Sequence, residues 1–286
     1  MKRNIPRVIL YAALALFTLG LNACSQEDDF APLEQGQVLR INARSTSDKA
    51  ELAPFTSPFT LELWNDGVHT THQMTYTDGT GWSPAKVDKL GITITALAHV
   101  GETVTFTSAT DYSVALTADQ STEDAFNAAD VMIATGTVDE NHSLSLNFKH
   151  HFAKVTFNVT LNTEFDETDE ITNLYVMTKG GSTPEVTAYC SAADSDADYD
   201  CSAYIPAGTY TVGDTFVKID IGEFTGDKKL EANMSEKNVL TLTAGTHYTF
   251  TLKVGKNKVT IGQVKTNNID NPFDSGWDND SETDLN

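Results

Sequence analysis

The chain is poor in basic side chains and in cysteine. Its 286 residues contain 19 lysines and arginines against 40 aspartates and glutamates, which gives a formal net charge of −21. A field of this sign repels phosphate groups, so we expect no DNA- or RNA-binding role. An acidic surface mainly promotes solubility and identifies no partner. Only three cysteines are present, so each can be assigned separately.

Long apolar runs are also absent. The longest one, residues 8–21, has fourteen positions and follows Lys2, Arg3 and Arg7. It is shorter than the roughly 20 residues that a membrane-spanning helix needs. A basic start followed by a short apolar run is typical of a bacterial secretory signal, and we predict a mature protein without a transmembrane helix.

The apolar run ends in Leu21-Asn22-Ala23-Cys24, which resembles a lipobox, where signal peptidase II cuts just before a cysteine that carries lipid. The acidic residues 27–29 resemble the export signal of lipoproteins on the outer face of the outer membrane. We therefore predict a lipoprotein signal peptide at residues 1–23, a lipid anchor on Cys24 at the cell surface, and a tether at residues 24–37. The alternative is a general signal peptide that is cut nearby, with Cys24 as an ordinary thiol.

The two remaining cysteines, Cys190 and Cys201, are eleven positions apart in a chain that we expect to be exported. A disulfide between them is therefore predicted. Closing so short a loop stabilises the folded state by about 3 kcal/mol in the chain-entropy model. The alternative is a pair of free thiols that flank the acidic loop of residues 194–200.

From residue 38 onward, apolar residues recur mostly at every second position. Phe59, Leu61 and Leu63 alternate with Thr60 and Glu62, and the same rule holds in residues 144–148, 155–161 and 240–254. This period places one side of an extended segment against a core and leaves the other side in water. Helical periodicity is scarce, and its best candidate is residues 121–129, which begin with a serine or threonine cap. The sequence predicts an all-β protein with at most a short surface helix.

Turn residues recur about every ten positions, which favours a sandwich or barrel of short antiparallel strands. A chain of this length forms two successive sandwiches more naturally than one. We predict an N-terminal sandwich at residues 38–149 and a C-terminal sandwich at residues 150–265. Residues 266–286, with six acidic and no basic side chains, are predicted to be an acidic tail or a donor segment.

One junction carries a family resemblance. An aspartate-led strand at residues 130–136 leads through a hairpin into Phe148-Lys149-His150, followed by His151-Phe152-Ala153-Lys154. This resembles the opening of the second domain in the fimbrillin family, and residues 240–252 are similar to the last hairpin of that family. Trp277 is similar to a tryptophan often found near its C-terminus. The resemblance implies two transthyretin-like β-sandwich domains and a structural or tip and accessory subunit of a surface fimbria that supports adhesion.

The resemblance also implies maturation by an extracellular trypsin-like protease, which removes the first strand so that a strand of another subunit can replace it. Residues 38–44 are the predicted first strand, and Arg44 is the favoured cleavage site, with Arg40 as the second candidate. The alternative is an uncut strand with solvent-facing arginines, as an anchor subunit would keep. The donor would come from the C-terminal region, where the candidates are Val259, Ile261, Val264, Ile269, Phe273 and Trp277.

Sequence signatures of catalysis and metal binding are missing. The chain has neither Gly-x-Ser-x-Gly nor a phosphate-binding glycine loop, and no zinc-type spacing accompanies its seven histidines. His69 and His72 lie in a polar, turn-rich stretch and alternate poorly with nearby acids. Of His150 and His151 we expect one to pack at the junction and one to face water. Alternating carboxylates in residues 194–200 suit calcium, but the glycine and the final glutamate of an EF-hand are lacking. We predict no cofactor, no metal site and no enzyme activity.

Two functions from different classes remain. The first is the fimbrial subunit, whose partners are other fimbrial subunits, the outer membrane through the lipid on Cys24, and a host protein or glycan. The second is a monomeric surface lipoprotein that binds glycans, with Trp64, Trp82 and Trp277 stacking on sugar rings. The same tryptophans are equally compatible with core or edge packing.

Overall fold

The computed structural model describes residues 37–45, 55–87, 91, 93–101, 103–166, 168–179, 183–193, 197–234 and 240–269. Within these ranges the regular structure is almost entirely β. The strands are β1 (Gln37–Ser45), β2 (Phe59–Asn65), β3 (Val68–Met74), β4 (Tyr76–Thr77), β5 (Gly81–Trp82), β6 (Ala85–Val87), β7 (Ile94–Val100), β8 (Val104–Phe106), β9 (Tyr112–Val114), β10 (Met132–Thr137), β11 (Ser143–His150), β12 (Ala153–Leu161), β13 (Ile171–Met177), β14 (Glu185–Thr187), β15 (Tyr189–Ala192), β16 (Tyr199–Ile205), β17 (Gly208–Tyr210), β18 (Thr215–Ile221), β19 (Leu230–Asn233), β20 (Leu240–Leu242), β21 (Thr246–Gly255) and β22 (Lys258–Asn268). The helix α1 (Glu123–Ala128) and a 3₁₀ turn (Gly226–Lys228) complete the list.

The N-terminal half is built on a seven-stranded sheet in the order β3-β2-β7-β10-β11-β1-β6. Its strands pair antiparallel, except that β1 runs parallel to β11. Both ends of the sheet contribute to one core, because Met74 of β3 and Val87 of β6 pack in the same cluster as Leu61 of β2 and Leu146 of β11. The hairpins β4–β5 and β8–β9 are separate from this ladder.

The C-terminal half is a sandwich. A five-stranded sheet, β15-β16-β12-β21-β22, faces a four-stranded sheet, β14-β13-β18-β19, and the pair β17–β20 adds to it. Rings from both layers meet in the core: the centroid of Phe157 lies 5.2 Å from that of Phe250 and 5.6 Å from that of Phe216. Residues 185–192 pass from one sheet to the other at the buried Ala188, which closes one side of the sandwich.

A third apolar cluster joins the two halves, with Val131 and Ile133 on one side and Phe152 and Tyr204 on the other. The predicted helix lies here as α1, capped by the Thr122 hydroxyl, which accepts a hydrogen bond from the Ala125 amide. Its phenylalanine, Phe126, stacks on Tyr204 with 5.0 Å between ring centroids. The segment before α1 and the helix itself therefore connect the halves through packed side chains.

The predicted all-β class and the single short helix are confirmed within the described residues. The alternation of residues 144–148 and 155–161 places Leu144, Leu146 and Phe148 in the N-terminal core and Val155, Phe157 and Val159 in the C-terminal core. No helix in the part of the chain that the structure describes has the length and apolarity to cross a membrane. The predicted signal peptide and Cys24 lie outside the described residues.

Candidate functional site

The first strand, β1, has two different neighbours along its nine residues. Residues Gln37–Leu39 pair antiparallel with β6, and residues Arg40–Ser45 pair in parallel with β11. No other strand among the described residues pairs with β6. We call the space that β1 occupies between β6 and β11 the β1 slot.

The side chains of β1 alternate between the core and the solvent. Leu39 and Ala43 are buried, with 2% and 4% of their surface exposed, and Ile41 is partly buried against the same core. Arg40 and Arg44 point the other way and are exposed. The period of two that identified this strand in the sequence thus separates an apolar inner face from a basic outer face.

The neighbours of the two buried side chains of β1 differ. Leu39 lies opposite the small Ala85 of β6. Ala43 lies opposite Leu146 of β11, and its carbonyl oxygen accepts a hydrogen bond of 3.3 Å from the amide of Phe55. The Phe55 ring stacks on Phe148 with 4.3 Å between centroids, and both rings belong to the same apolar core as Leu39 and Ala43. The β1 strand therefore closes a core that contains these stacked rings.

Both candidate cleavage sites lie in this strand, and their backbones are part of the ladder. The amide of Arg40 donates to the carbonyl oxygen of His142 at 3.0 Å, and Arg44 is in register with Asn147. A protease binds its substrate as an extended, unpaired segment, so either bond is cut only when β1 separates locally from β11. Arg44 is one residue from the end of β1, where such separation disrupts the fewest ladder bonds.

The candidate donor residues divide into two groups. Val259, Ile261 and Val264 lie in β22, which pairs along β21, and Ile261 and Val264 are buried in the core of their own chain. Ile269 is half-buried just after β22, and its amide donates to the carbonyl oxygen of Gly245 at 2.9 Å. Phe273 and Trp277 lie outside the described residues. The residues of β22 would have to leave their own core before they could act as a donor.

Cys190 and Cys201 are directly opposite each other on β15 and β16 and form a disulfide, with 4.0 Å between their Cα atoms. Cys201 is fully buried, whereas Cys190 is half-buried. Because β15 is the edge strand of the five-stranded sheet, the disulfide fixes this edge to its only neighbour in that sheet.

A buried carboxylate lies on the opposite face of the N-terminal sheet. Glu62 is only 3% exposed, and its Oε2 accepts hydrogen bonds from the Thr71 hydroxyl at 2.6 Å and from His69 Nε2 at 2.7 Å. Its Oε1 lies 3.8 Å from Nε2 of His99, whose Nδ1 donates to the Gly101 carbonyl oxygen. Burial lowers the pKa of His72, and the Glu62 carboxylate partly offsets this shift.

This cluster corrects one expectation from the sequence. Glu62 was expected on a wet face, but the hairpin β8–β9 covers this side of the sheet through Phe106, whose ring lies 5.4 Å from that of His69. Alternation in a strand shows which residues share a face, but it does not show that a distant hairpin covers the second face. The sequence contained no signal for this cover.

The other histidines take structural positions. His150 Nδ1 lies 2.6 Å from Asp130 Oδ1, and His151 packs edge-on against Phe152, where burial lowers its pKa. His247 is bonded through Nε2 to the Thr156 hydroxyl at 2.8 Å, and burial, with the nearby Lys154 charge, lowers its pKa to about 4. Among the residues that the structure describes, no three histidines, cysteines or acids are grouped to hold a metal ion.

Two of the three tryptophans are described, and both are half-buried in aromatic contacts. Trp64 stacks on His69 with 4.9 Å between ring centroids, and Trp82 meets Phe59 edge-on at 4.7 Å. These contacts use ring surface that a sugar would need for stacking.

Comparison with known proteins identifies the family of the chain. Residues 65–268, more than half of the chain, match the family described as Fimbrillin-like. No curated protein matches the chain. A candidate cell adhesion protein from Bacteroides uniformis shares 13% identity and a TM-score of 0.49, over 83% of this chain and 99% of that one. The fimbrial anchor protein Mfa2 from Porphyromonas gingivalis shares 10% identity and a TM-score of 0.43, over 82% and 98%.

A third solved structure is described as a candidate polysaccharide-binding protein from Bacteroides thetaiotaomicron, with 12% identity and a TM-score of 0.48 over 81% of this chain and 96% of that one. Structural similarities with such low sequence identities and TM-scores do not support a function. The family match does support one, because it spans most of the described strands and agrees with the motifs at residues 148–154. The chain belongs to the fimbrillin-like family, and this membership supports a fimbrial or adhesin-like function at the cell surface.

Proposed function

We propose that this protein is a structural or tip and accessory subunit of cell-surface fimbriae, exported as an outer-membrane lipoprotein and assembled by protease-triggered strand exchange. The observation that carries the proposal is the position of β1. This strand comes first among the described elements, yet it lies inside the sheet, with an apolar inner face and two exposed arginines. A single cut at the end of β1 would therefore disconnect this part of the core from the rest of the chain.

Cleavage after Arg44 would convert β1 from a covalent part of the sheet into a bound peptide. Its departure would leave the edge of β11 unpaired, deprive β6 of the strand that pairs with it, and expose the sites of Leu39 and Ala43 to water. Unpaired backbone groups beside an apolar groove favour insertion of another strand. As long as β1 remains, the same groove is filled and the subunit stays closed.

The membrane anchor and the donor complete the proposal. Lipid on Cys24 would hold the precursor at the outer membrane, and the cut would separate the folded part from residues 24–44 and so from the lipid. The donor would be a C-terminal segment of another subunit. In this chain, residues 270–286 are the better candidate to serve a neighbour, since Ile261 and Val264 already fill their own core.

The proposal is preferred to a monomeric glycan-binding lipoprotein. The tryptophans Trp64 and Trp82 pack against neighbouring rings and do not form an open stacking platform. Adhesion to a host protein or glycan remains part of the proposed role as a function of the assembled fimbria.

The test uses limited trypsin and native mass spectrometry on the purified chain. We expect a single early cut after Arg44, with the N-terminal piece still bound, followed by its exchange for an excess of isotope-labelled peptide of residues 37–44. The double variant Arg40→Gln/Arg44→Gln should remain uncut at β1 and should not take up the labelled peptide. A cut chain that never exchanges its β1 piece would contradict strand exchange.

A further inference from the structure

A line of basic side chains crosses the outer face of the N-terminal sheet. Arg40 and Arg44 lie on the exposed face of β1. The register places the exposed Lys86 of β6 two positions before Arg40. It places the exposed Lys149 of β11 two positions beyond the partner of Arg44. Because directly paired residues and alternate residues of one strand face the same side of a sheet, these cations share one face, which we call the basic stripe.

The basic stripe is a local reversal of sign in a chain whose net charge is −21. It extends over about eight residues of strand, or about 26 Å. The strands β1, β6, β10 and β11 contain no aspartate or glutamate. Acids flank the stripe at its two ends: residues 139–140 precede β11 at the Arg40 end, and Asp130, at the Lys149 end, bonds through Oδ1 to His150 Nδ1 at 2.6 Å. The face of these strands itself therefore carries only positive charge.

The C-terminal segment begins beside the Lys149 end of the basic stripe. The amide of Ile269 donates to the carbonyl oxygen of Gly245 at 2.9 Å, and the amide of Gly245 donates to the carbonyl oxygen of Phe152 at 3.0 Å. Phe152 follows Lys149 by three residues, which is at most about 11 Å of extended chain. Residues 270–286 follow from this point, and when extended they reach more than about 50 Å, about twice the length of the stripe.

The charge of this segment is opposite to that of the stripe. Residues 270–286 contain six acidic and no basic side chains. Runs of like charge at a chain end commonly serve as interaction segments. From the position and the charge of both parts, we infer that the basic stripe binds residues 270–286 of the same chain before maturation. Each exposed ion pair contributes little, but the tether keeps the segment at a high effective concentration and several pairs form together.

The basic stripe also gives maturation a second consequence. The docking itself is independent of strand exchange, whereas its release rests on the proposed function. A cut after Arg44 removes Arg40 and Arg44 with β1 and so takes away half of the positive charges of the stripe. The step that opens the β1 slot therefore also frees the segment that contains the donor candidates Phe273 and Trp277. A subunit would become ready to accept a strand and to donate one at the same time.

The experiment is zero-length carbodiimide cross-linking of the uncut full chain, which joins lysine amines to carboxylates that touch them. Residues 266–286 contain no lysine or arginine, so a tryptic digest leaves them as one identifiable peptide. We expect this peptide to be joined to Lys149. The yield should not depend on protein concentration, and it should fall in 0.5 M NaCl, where the screening length is only about 4 Å.

Two variants of equal charge change separate binding from mere proximity. In Arg40→Gln/Arg44→Gln the yield at Lys149 should fall at least about threefold, because two of the attracting charges are lost. The matched control is Lys253→Gln/Lys258→Gln, at exposed positions of the C-terminal half, which should leave the yield unchanged. An equal yield in both variants would overturn the inference, and so would cross-links that form only between two copies of the chain.

The release is tested on the chain cut after Arg44 and separated from its β1 piece. Cross-links between Lys149 and the peptide of residues 266–286 should be lost. Their persistence after β1 has left would contradict release by maturation. If the cut chain never loses β1, the proposed function fails while the docking stands, whereas absence of the cross-link in the uncut chain removes the docking and leaves strand exchange intact.

Discussion

The amide of Phe55 donates a hydrogen bond to the carbonyl oxygen of Ala43, so the chain that follows β1 returns beside that strand. The Phe55 ring stacks on Phe148, and both rings belong to the apolar core that also contains Ala43.

We expect Ala43→Leu in the intact chain to lower the free energy of unfolding by about 1–3 kcal/mol, because Ala43 is buried in a packed core and the added atoms would overpack it. The measurement is chemical denaturation followed by tryptophan fluorescence. The matched control is Arg44→Gln on the exposed face of the same strand, which should change the free energy of unfolding by no more than about 0.5 kcal/mol. Equal stability of Ala43→Leu and the native chain would show that the core beside Ala43 has room for a larger side chain.

One buried amide adds hydrogen bonds to the apolar contact between the halves. Gln120 is fully buried, and its side chain accepts a hydrogen bond from the Tyr204 amide at 2.8 Å and donates to the Tyr204 carbonyl oxygen at 2.9 Å. Gln120→Ala would leave both backbone groups unpaired, and we expect a loss of about 2–4 kcal/mol in the free energy of unfolding. The exposed neighbour Ser121→Ala serves as control. If Gln120→Ala lowers the free energy of unfolding no more than Ser121→Ala does, water replaces the side-chain amide as the partner of the Tyr204 backbone.

The disulfide between Cys190 and Cys201 should stabilise the edge of the five-stranded sheet. Replacing both by alanine removes the loop closure and is expected to cost about 3 kcal/mol. In this double variant, the rate of amide hydrogen exchange should rise most in residues 189–192, which form the edge strand β15. Intact-mass measurement of the native chain should show a gain of two hydrogen atoms on reduction, and the absence of this gain would mean that both thiols are free.

Acid should destabilise the C-terminal sandwich through His247. Its pKa is lowered from 6.5 to about 4 by burial and by Lys154, so the unfolded chain binds a proton more readily than the folded one between these values. Stability is therefore unaffected well above pH 6.5 and falls as the pH decreases towards 4. His247→Gln, which keeps a partner for Thr156, should lose less stability than the native chain between pH 7 and 5. The exposed His142→Asn is the control, since asparagine suits its positive φ of 57°. If the free energy of unfolding of His247→Gln falls with decreasing pH as steeply as that of the native chain, other groups cause the acid sensitivity.

The alternation of apolar residues predicted where strands lie in the sequence, but it did not predict which strands pair with each other. Residues 38–44 were identified as the first strand, and β1 covers Gln37–Ser45. Its parallel pairing with β11, about a hundred residues later, has no local signal, because register across that distance is set by packing of the whole core. The stacked rings in this core depend on the same distant contacts, since Phe55 and Phe148 meet only in the folded chain.

Two other features show the same limit. The spacing of Cys190 and Cys201 permitted a disulfide, but their placement in direct register depends on the pairing of β15 with β16. Val259, Ile261 and Val264 were donor candidates from the C-terminal region, and the structure places Ile261 and Val264 in the core of their own chain. A buried strand and a donated strand have the same sequence pattern, because both bury alternate side chains.

The most direct test of the account is the N-terminal sequence of the protein isolated from fimbriae on the cell surface. Strand exchange after maturation predicts chains that begin at Ser45, with residues 37–44 absent and the slot filled by a segment of another subunit. A population in which every chain still begins at a lipidated Cys24 would contradict the release of β1.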